Sequence, residues 1–411
     1  MKPLRYILCA LVAMSLAGLL QSCTFELEPG KDAGRKEVPA DKDATYLVLR
    51  IGAVGGHTRA GDGNSIEQIN SLRIVVLDGD GKVEHNIKET FDATDFEEYS
   101  YSKENLIIRT TPTDKKIYLF ANEESVTGLK GTTGNLTELL DSYQKGKEGF
   151  ADAIKDAYFT PDFNRNIFLS SYYEIDAKEF EGTNSVEKEF YLVRAASKFE
   201  FELVNNLPID LTIEGLTVSS VVDDMYLMPH VNDKFEDEGG NMKVPAGKSY
   251  THWIEWLKDV CEATTKTQTP VDDNESVNYD YGWILDYNIP NENGVQSTPN
   301  HKPLKIVQQS GLTLEKNGAK LSLPQVYCAE SKYQAENGNG VQAYSFTLQL
   351  KDNAGTVKTF NEKLNNLSAL FRNTHVKVNI EILQNEENIE LHLWIGICPW
   401  VVEEIDIPTF D

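Results

Sequence analysis

The residues of this chain that could do chemistry are few, and most of them stand alone. Seven histidines (His57, His85, His230, His252, His301, His375 and His392) share no spacing that would gather them around a metal ion. Beyond Cys23 only Cys261, Cys328 and Cys398 remain, which allows one disulfide at most. Cys398 lies in an apolar run and reads as a buried free thiol. There is no Gly-x-Ser-x-Gly elbow, no His-Glu-x-x-His, no phosphate-binding glycine loop and no dinucleotide fingerprint. Carboxylate pairs such as Glu403-Glu404 carry little information in a chain of net charge −25. Asp78, Asp80 and Gly81 look like the start of a calcium loop, but its later ligands are missing, so the stretch reads as a hairpin turn. No catalytic, cofactor or metal residue is assigned, and the chain is expected not to be an enzyme. The acidic balance argues against nucleic acid, whose phosphates want a basic surface.

Two residues do have chemistry, Cys23 and Arg59. Lys2 and Arg5 precede an apolar run from Ile7 to Leu20 that is too short to span a membrane. It ends in Leu20-Gln-Ser-Cys23, which resembles a bacterial lipoprotein box, so residues 1–23 read as a signal peptide and Cys23 as the acylated mature N-terminus. A lipid on one residue tethers a protein without making it span the bilayer. Arg59 stands in a loop containing Gly52, Gly55, Gly56, Gly61 and Gly63, which holds regular structure poorly. An exposed basic residue in such a loop suits a protease. Arg50, the polar intruder of the preceding strand, is a second basic site.

The loop is positioned by a short strand, with Tyr46 and Val48 on one face and Leu47, Leu49 and Ile51 on the other. Residues 24–44 form a polar, flexible spacer before it. Strand patterns come next at 72–77, 106–109, 116–122, 167–172 and 186–190. A helical patch lies at Leu136, Leu139, Leu140 and Tyr143, capped by Asn135 or Thr137 and continued by Phe150, Ile154 and Ala157. Residues 192–204 read as one long strand, followed by 211–222. From about 232 to 303 the chain is polar and irregular, punctuated by Trp253, Trp256, Tyr279, Tyr281 and Trp283, and reads as a long loop insertion. Such rings could stack on sugar faces. Strands resume at 343–350, 357–360, 375–383 and 389–407. In the last, Ile389, Leu391, Leu393, Ile395 and Ile397 share a face; Pro399 resets the phase, leaving Val402, Ile405 and Ile407 apolar. The class is mainly β with a minor helical excursion. Roughly 390 residues after the leader suffice for two domains, 45–190 and 191–411.

Several stretches together resemble the FimA-type fimbrillins, the pilus subunits of Bacteroidales. They are the box at Cys23, Thr58-Arg-Ala-Gly-Asp-Gly-Asn-Ser65 with the strand after it, Tyr118-Leu-Phe-Ala-Asn122, Val193-Arg-Ala-Ala-Ser-Lys-Phe-Glu-Phe201, and Arg372-Asn-Thr-His-Val-Lys-Val-Asn-Ile380 with Trp400 beyond. The resemblance implies two transthyretin-like β-sandwich domains exported to the outer membrane as a lipoprotein. It also implies cleavage between Arg59 and Ala60 by an Arg-specific surface protease, which would remove the strand of Tyr46, Val48 and Ile51 together with its loop. The vacated groove would take a donor strand from another fimbrial subunit, here the C-terminal segment 389–411 from Ile389 through Trp400 to Ile407. The product is a cell-surface fimbrium for adhesion. Two alternatives stand beside it. In one, the C-terminal strand folds back into its own domain, as an anchor or tip subunit would require. In the other, the chain is a monomeric surface lipoprotein that binds host glycan or protein through its aromatic-rich insertion.

Overall fold

The structure is a computed structural model that describes residues 39, 41, 44–53, 65–90, 106–130, 134–228, 289, 301–332, 344–364, 367, 370–385 and 388–400. Cys23, the spacer apart from residues 39, 41 and 44, Arg59, Ala60, the aromatics of the 232–303 insertion, Cys261, Val402, Ile405 and Ile407 lie outside the described residues, as do the side chains of Ile397 and Cys398.

The fold is mainly β. A seven-stranded sheet is built from β1 (Thr45–Ala53), β2 (Ser71–Leu77), β3 (Val83–Thr90), β4 (Leu106–Thr110), β5 (Lys115–Ala121), β8 (Leu169–Ile175) and β9 (Ser185–Arg194), in the order β3-β2-β5-β8-β9-β1-β4. β2 is apolar along most of its length, β-branched at Ile74, Val75 and Val76, and buried at every position. Its one charge, Arg73, is neutralised by the buried Glu123, whose two oxygens accept from Nε and Nη2 at 2.9 Å each. The turn into β3 forms because the Asp78 carboxylate accepts from the Asp80 and Lys82 amides at 3.0 and 2.9 Å, while Gly81 adopts φ +78°.

The outer strands β3 and β4 meet, so the sheet folds over on itself. Glu84 on β3 accepts from Thr110 Oγ1 and Thr111 N at 2.7 Å and pairs with the buried Lys115 at 2.8 Å. His85 Nε2 lies 2.7 Å from Arg109 O. Burial opposes ionisation of Glu84, yet the bonds from Lys115, Thr110 and Thr111 outweigh it and hold the carboxyl below its ordinary range.

The helical excursion is two short helices, α1 (Leu136–Asp141) and α2 (Phe150–Lys155); between them Gly146 and Gly149 adopt φ of +85° and +83°, which a regular helix does not use. Asn135 is the cap of α1, its side chain accepting from Glu138 N at 2.8 Å.

The run 192–204 is not one strand. β9 ends at Arg194 and β10 (Ser197–Asn205) begins a different sheet, with Ala195 and Ala196 making the crossing. Both alanines are buried, and an alternating pattern cannot register a change of partner when the crossing residues are also apolar. Beyond the crossing come β11 (Leu211–Val222), β13 (His301–Lys305), β14 (Leu312–Leu314), β15 (Ala319–Ser322), β16 (Val326–Cys328), β17 (Ser345–Lys351), β18 (Val357–Lys363), β19 (Thr374–Asn385) and β20 (Asn388–Pro399). They form two sheets that face each other as a sandwich. One has the path β15-β10-β19-β20, with β16 also on β10; the other has β13-β11-β17-β18, with β14 also on β11. Phe201 of β10 meets Phe346 of β17 edge-on between the sheets, with centroids 6.1 Å apart. β13 to β16 were not legible in the sequence. They are three to five residues long, too short to show a period, and β13 starts inside the stretch expected to be irregular.

The two sandwiches share one hydrophobic core cluster. A small fourth sheet joins them, in which β7 (Tyr158–Phe159) pairs with β6 (Leu129–Lys130) and with β12 (Met225–Tyr226) from beyond the crossing.

Candidate functional site

The first strand lies inside a sheet rather than at its edge. β1 runs parallel to β9 over eight register pairs, Tyr46↔Ser185 to Ala53↔Leu192, and antiparallel to β4 over five, Thr45↔Thr110 to Leu49↔Leu106. Leu47, Leu49 and Ile51 point into the core at 0, 1 and 4% exposure. Tyr46 and Val48, on the opposite face, are buried too. Taking β1 away would leave two ladder edges facing each other across one strand width, with three apolar sockets between them. β4 has holds that do not involve β1, namely the Glu84 and His85 contacts to its far side. Arg50 is half-exposed on β1 and pairs with Glu187 and Glu189 on β9.

Residues 66–70, between the loop and β2, are pinned to the first sandwich. Ile66 O accepts from Ile167 N at 2.7 Å. Asn122, in the left-handed conformation at φ 57°, gives its side-chain amide to Gln68 O and Ile167 O and accepts from Asn70 N, each at 2.8 Å. An asparagine tolerates this backbone region because its short side chain can bond locally.

At the other terminus β20 is docked on its own sandwich. It pairs with β19 in twelve consecutive register pairs, Thr374↔Pro399 to Asn385↔Asn388, without a bulge. Ile389, Leu391 and Leu393 are half-buried against the core and Ile395 is buried, so the apolar face of the sequence pattern is the inward face. Lys358 of β18 donates to Ile389 O at 2.8 Å and fastens the strand's start to the opposite sheet. Trp400 comes directly after the strand and is buried, its amide donating to Asn373 O at 2.7 Å.

The junction between the sandwiches collects residues that look unrelated in sequence. Arg372 is fully buried, contacting both carboxylate oxygens of the equally buried Glu330, Ser170 Oγ at 3.0 Å, Tyr226 O at 2.9 Å and Leu227 O at 3.3 Å. Ser170 belongs to the first sheet and the other partners to the far side of the crossing, so one guanidinium fork ties three segments. Asn373, at φ 60°, accepts from Arg194 Nη1 at 3.2 Å and bonds Ala196 O at 2.7 Å through its amide. Two of the stretches that carry the family resemblance, around Arg194 and Arg372, therefore meet at this one place. No pattern in the sequence marks Glu67, Tyr327 or Glu330, whose partners lie tens to hundreds of residues away.

Among the described residues no group of three or more His, Cys, Asp or Glu could hold a metal ion, and no helix is long and apolar enough to cross a membrane. No family model and no curated protein matches this sequence. Solved structures resemble it distantly. The tip fimbrial protein Mfa3 from Porphyromonas gingivalis, with C-terminal truncation, aligns at TM-score 0.45 and 12% identity over 87% of this chain and 100% of its own. A putative cell adhesion protein from Parabacteroides distasonis aligns at 0.46 and 12% over 88 and 98%, and a fimbrial assembly protein from the same organism at 0.39 and 10% over 87 and 99%. Likeness this distant identifies neither family nor function.

Proposed function

We propose that this chain is a structural subunit of a surface fimbrium serving cell adhesion. In this reading it is exported as an outer-membrane lipoprotein through Cys23, cut between Arg59 and Ala60 by an Arg-specific protease, and assembled by strand exchange. The observation that carries the reading is the position of β1, a nine-residue first strand lying between β9 and β4 in a sheet whose other members hold one another without it. A strand in that position, joined to the body by a glycine-rich loop with one arginine, can leave as a unit once the loop is cut. The edges it leaves bind another strand through main-chain hydrogen bonds, with the sockets of Leu47, Leu49 and Ile51 setting specificity. The donor in this reading is the C-terminal segment of another subunit, residues 389–411.

The test is to treat purified precursor with an Arg-specific protease and sequence the new N-terminus while following assembly by light scattering. The expected result is an N-terminus at Ala60 with fibres, and neither product from Arg59→Ala. A different start, or assembly by the Arg59→Ala protein, overturns the reading.

A second reading has one observation in its favour, the docking of β20 along its whole length on β19. A subunit that keeps its last strand accepts a neighbour without donating, and so ends a fibre as anchor or tip. Mixing cut, labelled subunits separates the two readings: fibres that grow favour the stalk, and capped dimers favour the terminal role.

A further inference from the structure

We infer that Glu67, Tyr327, Lys198 and Trp400 form a latch through which the segment just downstream of the loop holds the C-terminal strand in its docked position. Trp400 is contacted by Tyr327, Lys198 and Arg194, the last with its guanidinium carbon 5.1 Å from the ring centroid, and the first two form walls of its slot. Tyr327 stacks on its indole with centroids 5.5 Å apart, and Lys198 Nζ sits 4.3 Å from the ring centroid. Both walls are tied to a single atom, Glu67 Oε1, which accepts from Tyr327 Oη at 2.7 Å and lies 3.5 Å from Lys198 Nζ. Ile66 and Phe163 pack against the same cluster, beside Ile167 and Ala196. Glu67, Lys198, Tyr327 and Trp400 are all buried.

The sequence positions give the arrangement its meaning. Glu67 lies eight residues after Arg59, and Trp400 is the first residue past β20. The root of the C-terminal tail is therefore seated by a carboxylate that belongs to the stretch a cut after Arg59 would turn into the new chain end. Glu67 reaches its partners because Ile66 and Gln68 are held on either side of it by Ile167, Asn122 and Asn166. A segment fixed at both flanks presents one geometry, and the walls of the tryptophan slot conform to it. Loss of the Glu67 contact takes away the acceptor of the Tyr327 hydroxyl and the nearest counter-charge of the Lys198 ammonium, which loosens the slot. β20 has only one described ladder, so its far end then frays from Pro399 towards Asn388.

The regulatory meaning rests on the reading that the loop is cut, but the latch is tested on uncut protein. Amide hydrogen exchange is measured on the full-length precursor, on Glu67→Ala and on Tyr327→Phe, which keeps the stacked ring and removes only its hydroxyl. In both variants exchange over 388–400 is expected to rise, about ten-fold or more in Glu67→Ala and less in Tyr327→Phe, while β17 stays protected. Unchanged protection of β20 in both variants overturns the latch, and so does an equal loss in β17, which would mean general destabilisation. If Glu67→Ala does not fold, Tyr327→Phe decides by the same criterion. A latch seen in exchange together with failure of cut protein to assemble would reject the fimbrial reading and leave the latch standing.

Discussion

The two terminal strands, β1 and β20, are held in opposite ways. β1 has a ladder on each side and is buried on both faces; β20 has one described ladder and a half-buried inner face. Fully burying a leucine stabilises by about 1.5–3 kcal/mol, so the 0% exposed Leu47 is worth far more in place than the half-buried Leu391. The strand that the fimbrial reading removes is thus the one bound more tightly, and the strand it donates is the one bound less. That ordering suits a one-way device. In the fimbrial reading β1 would stay in an uncut precursor, and its emptied groove would be a deeper well than the edge on β19, so a strand lost from an edge would gain on entering a groove.

Both strands sit in one cooperative body only while the junction holds, and Arg372 is the residue to break it. Truncating one partner of a buried ion pair leaves an uncompensated charge and costs about 3–5 kcal/mol. Arg372→Ala should lose that much in urea unfolding and should split a single transition into two, followed by tryptophan fluorescence and far-UV circular dichroism. A single transition with unchanged midpoint would show that the junction does not couple the two sandwiches.

The direct contrast is next in size. Leu47→Ala should destabilise by about 3 kcal/mol, within the range of large-to-small core changes. Leu391→Ala on β20 should cost about 1 kcal/mol, because part of its side chain is already in water. Equal losses would remove the asymmetry between plug and edge.

That β1 and β20 were readable while their seats were not is a matter of range. Alternation in 45–51 and 389–397 is a local signal; it grouped Leu47, Leu49 and Ile51 on one face of β1 and Ile389, Leu391, Leu393 and Ile395 on one face of β20, and those residues pack on the core. The seats depend on contacts with no local signature: Glu67 to Tyr327 spans 260 residues, and Arg372 to Ser170 spans 202. A lone Glu and a lone Tyr in an acidic chain cannot announce each other. The crossing at Ala195–Ala196 was hidden for a related reason, since apolar residues continue the pattern while the strand changes partner. Asn122 and Asn373 were visible only as parts of the resembling stretches. Their left-handed backbone explains why asparagine suits those positions.

An effect that is small within any one pH unit separates the β19–β20 side from β1. His375 on β19 is buried, with Nε2 3.0 Å from Glu200 Oε2, and faces Lys198 on β10 and Lys377 on its own strand. Burial is the main cause that pulls its pKa down to about 4, with the two lysines adding to it against Glu200. The folded state therefore refuses a proton that the unfolded chain accepts below about 6.5. Stability is full above that pH and falls as the pH drops towards 4, by up to about 1.4 kcal/mol per unit for one such group. His375→Gln should flatten urea midpoints measured between pH 6.5 and 4; an unchanged slope would mean that the proton is taken up elsewhere.

The smallest change is at Arg50. Its ion pairs with Glu187 and Glu189 are between partly exposed side chains, so Arg50→Ala should cost less than about 1 kcal/mol. Its interest lies in what it should leave alone. A protease binds its substrate as an extended strand with free main-chain groups, and Arg50 is engaged in register with Glu189 of β9. Cleavage there requires β1 to open first, so Arg50→Ala should leave the site and rate of cutting unchanged. Leu47→Ala, by loosening β1, should add a second product beginning at Ile51. If Arg50→Ala alone slows maturation, the ladder does not shield β1, and the tight hold ascribed to this strand is wrong at its one basic position.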